Sequence, residues 1–416
     1  MEEMNAPTYP AKTAWLGLGV AYLGLMAVGA MFHMVPPLLP EVLRDLGLNH
    51  GQGGVLMSTF ALPGLLLSLY GGWLVDRFGA YRVGAAGLLV MGLASLGLAR
   101  AVGFPIILVA RLVSGVGSVL AMLGAQRMVT LLFGGRPLGL PMGVAGSAIP
   151  CGIIIIYNLA GPLSRRSGWR AVPWQLGLAA LLTGALLLVL GHVLLRERRE
   201  HRTAGMGPRA ATEKAVAGRP AAGTDEKTTS VWAVVWAAGL VWFLANGAMT
   251  AFLTFVPDHF LTMGLGVRDR GLVTSMPLWI SASMGPPVGL MADRFGGKAQ
   301  YVTVGMGVMT ATLLLVAYNQ AAPLLVGMGL GLAMALLVTP LLSMPGELLP
   351  PSHHGRGFGI LNTSANGGFF LLPPLAGFLR DGSAGYFLPF IMMAAVGLVG
   401  ILAGVVLARL YGKWKA

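Results

Sequence analysis

The charged chemistry of this chain is concentrated at a few positions. The string Asp-Arg-Phe-Gly occurs twice, as Asp76-Arg77-Phe78-Gly79 and Asp293-Arg294-Phe295-Gly296, and a glycine precedes each Asp by four residues, Gly72 and Gly289. Both copies end a long apolar run. An Asp at such a point can face the first turn of a neighbouring helix, where unpaired N–H groups and the helix dipole favour an anion. A contact between exposed charges is worth about 0–1 kcal/mol, which suits a latch that has to release. The plainer alternative, a turn with solvated charges, does not account for the recurrence.

Arg111 is the one basic residue well inside an apolar run. A cation at the centre of a bilayer costs about 2.5–3.5 kcal/mol on insertion scales, so it must face protein or water. There it can hold an anionic substrate or modulate proton movement, or it can bond the main-chain carbonyls of adjacent helices; the residue type alone leaves both open. His33 is the only imidazole well inside a run. Its ordinary pKa of about 6.5 suits proton uptake, although a lone membrane His is more often a helix–helix hydrogen bonder. All 15 Asp and Glu residues lie in tails, loops or run ends. A buried carboxylate that charges and discharges is therefore not the expected site of proton coupling.

Polar residues at helical spacing mark a second candidate surface. Asn246, Thr250 and Thr254 recur every fourth residue and share a face, as do Asn362 and Asn366. Gly367-Gly368 and Pro373-Pro374 follow the asparagines, and an earlier run carries Pro150, Gly152, Tyr157 and Asn158. Helices broken in this way expose backbone groups, tolerated only where they line protein or a watery cavity. Tyr22 and Trp279 add aromatic surface. The expected cavity residues are thus Arg111, His33, Asn246, Thr250, Asn362, Asn366, Tyr22 and Trp279. The competing role for each is interhelical packing or hydrogen bonding, at under about 1 kcal/mol apiece. His353-His354 lacks a carboxylate or Cys partner and makes a poor metal site.

The elements that must position these residues follow from composition. Of 416 residues, 56% are hydrophobic and 10% charged, whereas soluble domains carry about 25% charge. Bilayer-spanning helices remain, each of about 20 apolar residues, and they tolerate the 62 Gly and 26 Pro. Twelve spans are expected, at 14–37, 51–74, 81–101, 104–128, 139–162, 171–195, 231–256, 271–292, 300–318, 322–346, 357–379 and 386–410. Between the sixth and seventh lies 196–230, rich in Arg, Lys, Gly, Pro and Thr, which reads as a solvated linker. The domains are accordingly 1–195, 196–230 and 231–416.

The net charge of +13 lies in loops between runs and not on one patch, so no nucleic-acid partner is expected. It sets topology instead. With both termini cytoplasmic, that side holds eleven Lys and Arg against eight opposite, before the linker's own eight are added. The first run has no basic flank or cleavage site ahead of it and is expected to be retained as a helix. The single Cys, Cys151, sits within a run and excludes an intrachain disulfide.

Self-similarity extends well past the tetrapeptide. Gly47, Leu48, Gly54 and Ser58 match Gly264, Leu265, Gly271 and Ser275; Gly143, Gly152, Gly161 and Pro173 match Gly359, Gly368, Gly377 and Pro389. Phe32 and Pro37 match Phe252 and Pro257. Two parallel six-helix halves follow.

Two such halves, each with Gly-x-x-x-Asp-Arg-x-Gly between its second and third helices, resemble the major facilitator superfamily of transporters over essentially the whole chain. The fourth span adds Arg111, Gly115 and Gly117, similar to that family's Arg-x-x-x-Gly-x-Gly. The resemblance implies an all-α membrane fold and a secondary transporter that works by rocking of its halves. It also implies that Asp76 meets the start of the eleventh span near Gly357, and Asp293 the start of the fifth near Gly139. Gly72, Asp76, Arg77, Arg82, Gly289, Asp293 and Arg294 would be the gating residues. Ala80 and Gly297 interrupt the family's further basic run, leaving Arg82 and Lys298.

One embedded cation and no embedded anion favour a small organic or inorganic anion as substrate, moved across the inner cell membrane with a proton or exchange substrate as the coupling partner. The second and eighth spans lack the basic residue of nitrate porters. A multidrug exporter is the alternative, with a sensor or lipid flippase behind it. No phosphate loop ending in Gly-Lys-Ser/Thr and no nucleophile–base pair is present, so neither enzymatic chemistry nor a cofactor is expected. The partners expected are the solute and the lipid bilayer, around a monomer.

Overall fold

The computed structural model describes residues 10–134, 139–203, 225–320, 322–350, 353–383 and 385–415, excluding the helical side chains of 68–72, 76, 139, 194–203, 225–230, 355 and 415. These residues form twelve long helices and one short one, with no strand among them. The first half comprises α1 (Ala11–Phe32), the short α2 (Leu39–Leu46), α3 (His50–Phe78), α4 (Ala80–Ala99), α5 (Phe104–Leu132), α6 (Gly139–Ser167) and α7 (Ala171–Thr203). The second comprises α8 (Asp225–Thr262), α9 (Val267–Phe295), α10 (Lys298–Ala317), α11 (Pro323–Leu348), α12 (His354–Asp381) and α13 (Phe387–Lys415).

Every expected span is one of the long helices, but several ends move. The first span stops at Phe32 and not at 37, because Pro36 and Pro37 lack the N–H donors a helix needs. The chain makes a 3-10 turn over Pro36–Leu38 and then forms α2, a short helix absent from the sequence expectation. Gly47 ends α2 at φ 63°, in the left-handed region. Asn49 and Gln52 then bond each other's main chain in a capping box that starts α3. Helix continues to Thr203 and resumes at Asp225, so both ends of 196–230 are helical, while 204–224 lie outside the described residues. Arg and Glu favour helix, and missing apolar periodicity says only that no face is buried.

Nine of the described helices are long and apolar enough to cross a membrane. The other three long ones, α3, α9 and α12, span 29, 29 and 28 residues. Their Gly, Pro and polar side chains lower their apolarity for a reason visible in the packing. Helices of each half pack mainly on one another, and the halves meet along two seams, α3 against α12 and α6 against α9.

Several of the duplicated glycines are positions where helices come into close contact. A Cβ on Gly54 would strike the Pro373 carbonyl of α12, and one on its counterpart Gly271 would strike the Tyr157 carbonyl of α6. Gly377 likewise abuts the His50 carbonyl, and Gly161 the Val267 side chain. Within the halves, Gly152 meets the Met26 carbonyl of α1 and Gly368 the Phe243 carbonyl of α8. At these pairs the internal repeat is a repeat of close contacts that leave no room for a side chain. Gly79 and Gly296, which close the two tetrapeptides, share positive φ values of 90° and 71°, a conformation that favours glycine.

Twelve crossings place both chain ends on one face, here termed the terminal face; the other is the distal face. Residues 50–64 of α3 meet 366–381 of α12, and 157–161 of α6 meet 267–275 of α9. All of these contacts lie in the distal halves of their helices. Toward the terminal face, Leu66, Trp73, Phe78, Leu290 and Phe295 are exposed. Among the described residues, these cross-half contacts are therefore concentrated toward the distal face.

Candidate functional site

Arg111 is fully buried. Its Nη1 and Nη2 donate to the carbonyls of Met31 and Phe32 at 2.6 and 3.0 Å, and its Nε to that of Leu56 at 2.9 Å. Met31 and Phe32 are the last two residues of α1, whose carbonyls have no intrahelical partner and carry the negative end of the helix dipole. The guanidinium also lies over the Phe60 ring, 4.5 Å from its centroid. Of the two roles left open for Arg111, the structure shows the carbonyl-bonding one: it ties α1, α3 and α5 together.

His33 follows directly as the α1 C-cap and is likewise buried, with Nδ1 3.1 Å from the Tyr157 hydroxyl. That hydroxyl donates to the Leu253 carbonyl at 2.9 Å, so His33, Tyr157 and α8 form a bonded chain from one half to the other. Beside it, Asn158 donates across the α6–α9 seam to Ser275 at 3.0 Å.

The polar stripes divide. Asn246, Thr250 and Thr254 are buried in α8, and Asn246 and Thr254 bond the carbonyls of Trp242 and Thr250 in their own helix. Asn362 and Asn366 are half-buried on α12; Asn366 donates to the Asn362 carbonyl and lies against Gly64 of α3. Tyr22 is half-buried beside Ser147 and Cys151 of α6. Trp279 is 54% exposed. Arg111 and His33 thus come together, Asn366 joins the α3–α12 seam, and Trp279 stands apart from both groups. His354 bonds the Leu349 carbonyl, and no metal-binding cluster occurs among the described residues.

The expected latch is only partly in view. Asp293, two-thirds exposed, pairs with Lys298 of its own half at 2.8 Å, and Lys298 also contacts Glu347. Arg77 lies over Trp73 and Phe78, Arg294 lies over Phe295, and Arg82 is exposed. Gly289 packs on Thr339 of α11. The side-chain surroundings of Gly72 and Asp76 lie outside the described residues.

The same physical device is present at the opposite face, where the sequence did not reveal it. Asp381, the last residue of α12, caps the N-terminus of α3. Its Oδ1 accepts from the His50 main-chain N–H at 2.9 Å and its Oδ2 from that of Gly51 at 2.7 Å. His50 Nδ1 lies 2.9 Å from the same Oδ1, and His50 Nε2 lies 3.4 Å from Asp258 Oδ2 of α8. The Tyr386 hydroxyl donates to Asp258 from the far side. His50 and Asp381 fall just outside the spans 51–74 and 357–379. The bond to Asp258 raises the His50 pKa above its ordinary 6.5, against burial and with help from Asp381. Burial opposes ionisation of Asp381, but the Gly51 and His50 donors outweigh it and hold its carboxyl below the usual range. The only sequence signal here was the Asn49–Gln52 capping box; His50 and Asp381 are 331 residues apart.

Two pseudo-symmetric bundles of membrane-spanning helices that meet along two seams are the architecture of a membrane carrier. The family model of the Major Facilitator Superfamily matches residues 21–269 and 243–413, and the chain belongs to that family. Among curated proteins it is similar to the "Probable sulfoacetate transporter SauU" of Cupriavidus necator, at 23% identity over 88% of this chain and 86% of that one. It is also similar to the human "Lysosomal dipeptide transporter MFSD1", at 24% identity over 94% and 85% of the two chains. A "Quinolone resistance protein NorA" of Staphylococcus aureus matches 45% of the chain and 47% of its own length at 24% identity. In fold it is similar to a bacterial homologue of the lysosomal transporter Spinster, with a TM-score of 0.81 at 13% identity over 98% and 99% of the chains. The xylose transporter XylE of E. coli gives 0.72 at 18% identity over 95% of each. The chain is a multi-pass membrane protein and a secondary transporter of a small molecule.

Proposed function

We propose that this transporter moves a small organic anion by alternating access, and that the structure is its inward-facing state. The observation that supports alternating access is the one-sided seam: among the described residues the named cross-half bonds lie distally, while Asp293 at the terminal face pairs with Lys298 of its own half. Closing the terminal face would let Asp76 and Asp293 reach the starts of α12 and α6, where an anion is favoured. The excess of Lys and Arg supports a cytoplasmic terminal face, with the carrier in the inner cell membrane.

Two observations support an anion. The bonds of Arg111 go to carbonyls, with a weaker contact to a methionine sulfur. None of those groups carries a full negative charge, so the guanidinium keeps a net positive charge inside the bundle, where low dielectric strengthens its field. The relative named "Probable sulfoacetate transporter" covers most of the chain. By the family's architecture the path would run between α1, α5, α8 and α11, flanked by α3, α6, α9 and α12, with Asn246, Thr250, Asn362, Asn366, Tyr22 and Trp279 as candidate contacts once the halves move.

Uptake into proteoliposomes of labelled sulfoacetate, a neutral dipeptide and a hydrophobic cation, with and without a pH gradient, tests this directly. Accumulation of the sulfonate is the expected result. Transport of the hydrophobic cation alone would eliminate the anion assignment and favour an exporter of the quinolone-resistance kind.

A further inference from the structure

The cluster around His50 is not a by-product of the duplication. In the repeat, His50 corresponds to Val267 and Asp381 to Arg165, so the α6–α9 seam has neither the imidazole nor the carboxylate. One seam of the two carries a titratable lock, and its components come from opposite halves.

We propose that His50 is a proton-binding site on the distal face, and that a proton taken up there closes the α3–α12 seam. The pH on that side would then set how the carrier divides between its inward- and outward-facing states. This rests on the alternating-access assignment above.

The geometry requires the second proton. A neutral imidazole has one N–H and one lone pair, and only the imidazolium donates from both nitrogens. Here each nitrogen faces a carboxylate, Asp381 at 2.9 Å and Asp258 at 3.4 Å. With a neutral ring, one carboxylate oxygen would face a lone pair. The surrounding charges point the same way. α12 contributes Arg380 with Asp381; α8 contributes Asp258 and His259; and Tyr386, ahead of α13, donates to Asp258. Farther out, Arg270 of α9 acts on Asp258 and is paired electrostatically with Glu41 of α2. Imidazolium and Arg380 balance the two carboxylates, whereas a neutral His50 leaves one negative charge in a half-buried site.

Opening the seam would take His50 away from both carboxylates at once, because they sit on α8 and α12 and it sits on α3. The closed state therefore binds the proton more tightly, and the state with higher proton affinity gains as pH falls. The sign follows from the raised pKa: the lock is fully present below the ordinary 6.5 and is lost as pH rises through the raised value. Asp381, held below its ordinary 3.8, stays ionised across this window. Side-chain exposure of 23% leaves His50 reachable by protons from the distal side.

The test is a spin-label distance across the distal face in reconstituted full-length protein. In a Cys151→Ser background, Val102→Cys lies between α4 and α5 and Gln320→Cys between α10 and α11, both exposed. At pH 6 a single short distance is expected. By pH 9 the ratio of long to short distances should rise roughly tenfold for each unit by which the closed-state pKa exceeds the open-state one. His50→Gln should abolish this pH response, and Asp381→Ala should show the long distance at every pH. A wild-type profile that is flat while Asp381→Ala is shifted would overturn the proton site and leave alternating access standing. Retention of the full pH response in His50→Gln would also overturn it. A single short distance in all three proteins would count against alternating access as well.

Discussion

Replacing Arg111 with lysine separates a helix tie from a substrate ligand. Lysine keeps the positive charge but offers a compact ammonium in place of a planar fork. The guanidinium reaches three carbonyls on two helices at 2.6–3.0 Å; an ammonium on a flexible stem reaches about one of them. Two lost bonds at about 0.6–1.7 kcal/mol each within a membrane protein come to roughly 1–3 kcal/mol. The stacking on Phe60 is weakened too, and the last turn of α1 loses its cap. Thermal unfolding of the purified protein, followed by tryptophan fluorescence, should shift down by a few degrees. The KM for the transported anion should stay within about twofold of wild type, because uniform substrate binding is not what the change removes. Wild-type thermal stability together with a KM raised tenfold or more would refute this, and would make Arg111 a direct anion ligand.

Other consequences are equally open to measurement. Gly54→Val and Gly271→Val should each hold one distal seam apart, since the added carbons meet the Pro373 and Tyr157 carbonyls; spin-label distances should show the outward-facing state enriched in both, and enrichment in neither would undo the seam assignment. Tyr157→Phe removes the donor to Leu253 and the partner of His33, and should weaken distal closure by about 1 kcal/mol; an unchanged ratio of the two distances would show that bond to be inert. Asp381 contributes to closure above its ordinary pKa of 3.8, and that contribution is lost as pH falls through its lowered value. In His50→Gln, acid below about pH 4 should therefore still open the seam. Asp76→Asn should slow transport while leaving the protein folded and inserted, and a normal rate would remove the terminal-face latch.

The helices and the duplication were legible because apolar length and repeated small residues are local properties of the chain. The matched pairs Gly54/Gly271 and Gly161/Gly377 could be aligned by spacing alone, and the structure supplies their reason, which is close contact across a seam, with backbone at Gly54, Gly271 and Gly377 and with the Val267 side chain at Gly161. The end of α1 was misplaced because the apolar run continues through Met34 and Val35 to Pro36, past the point where proline forbids the helix. Helix in the basic segment after residue 195 was missed because solvated helices carry no apolar period. Arg111 was found, but its partners are carbonyls, which have no sequence signature. The His50 cluster was invisible for a different reason. Its members, His50, Asp258 and Asp381, are each unremarkable at a helix end, and only the folding of one half against the other brings them together.

The most direct test of alternating access is to fasten the distal seam and watch transport. Asn158→Cys with Ser275→Cys, in the Cys151→Ser background, replaces a 3.0 Å cross-seam hydrogen bond with a pair able to form a disulfide. In proteoliposomes the oxidised protein should take up no sulfoacetate, and reduction should restore uptake. Undiminished uptake by fully cross-linked protein would mean that the halves need not part at this face, and the rocking account would fail.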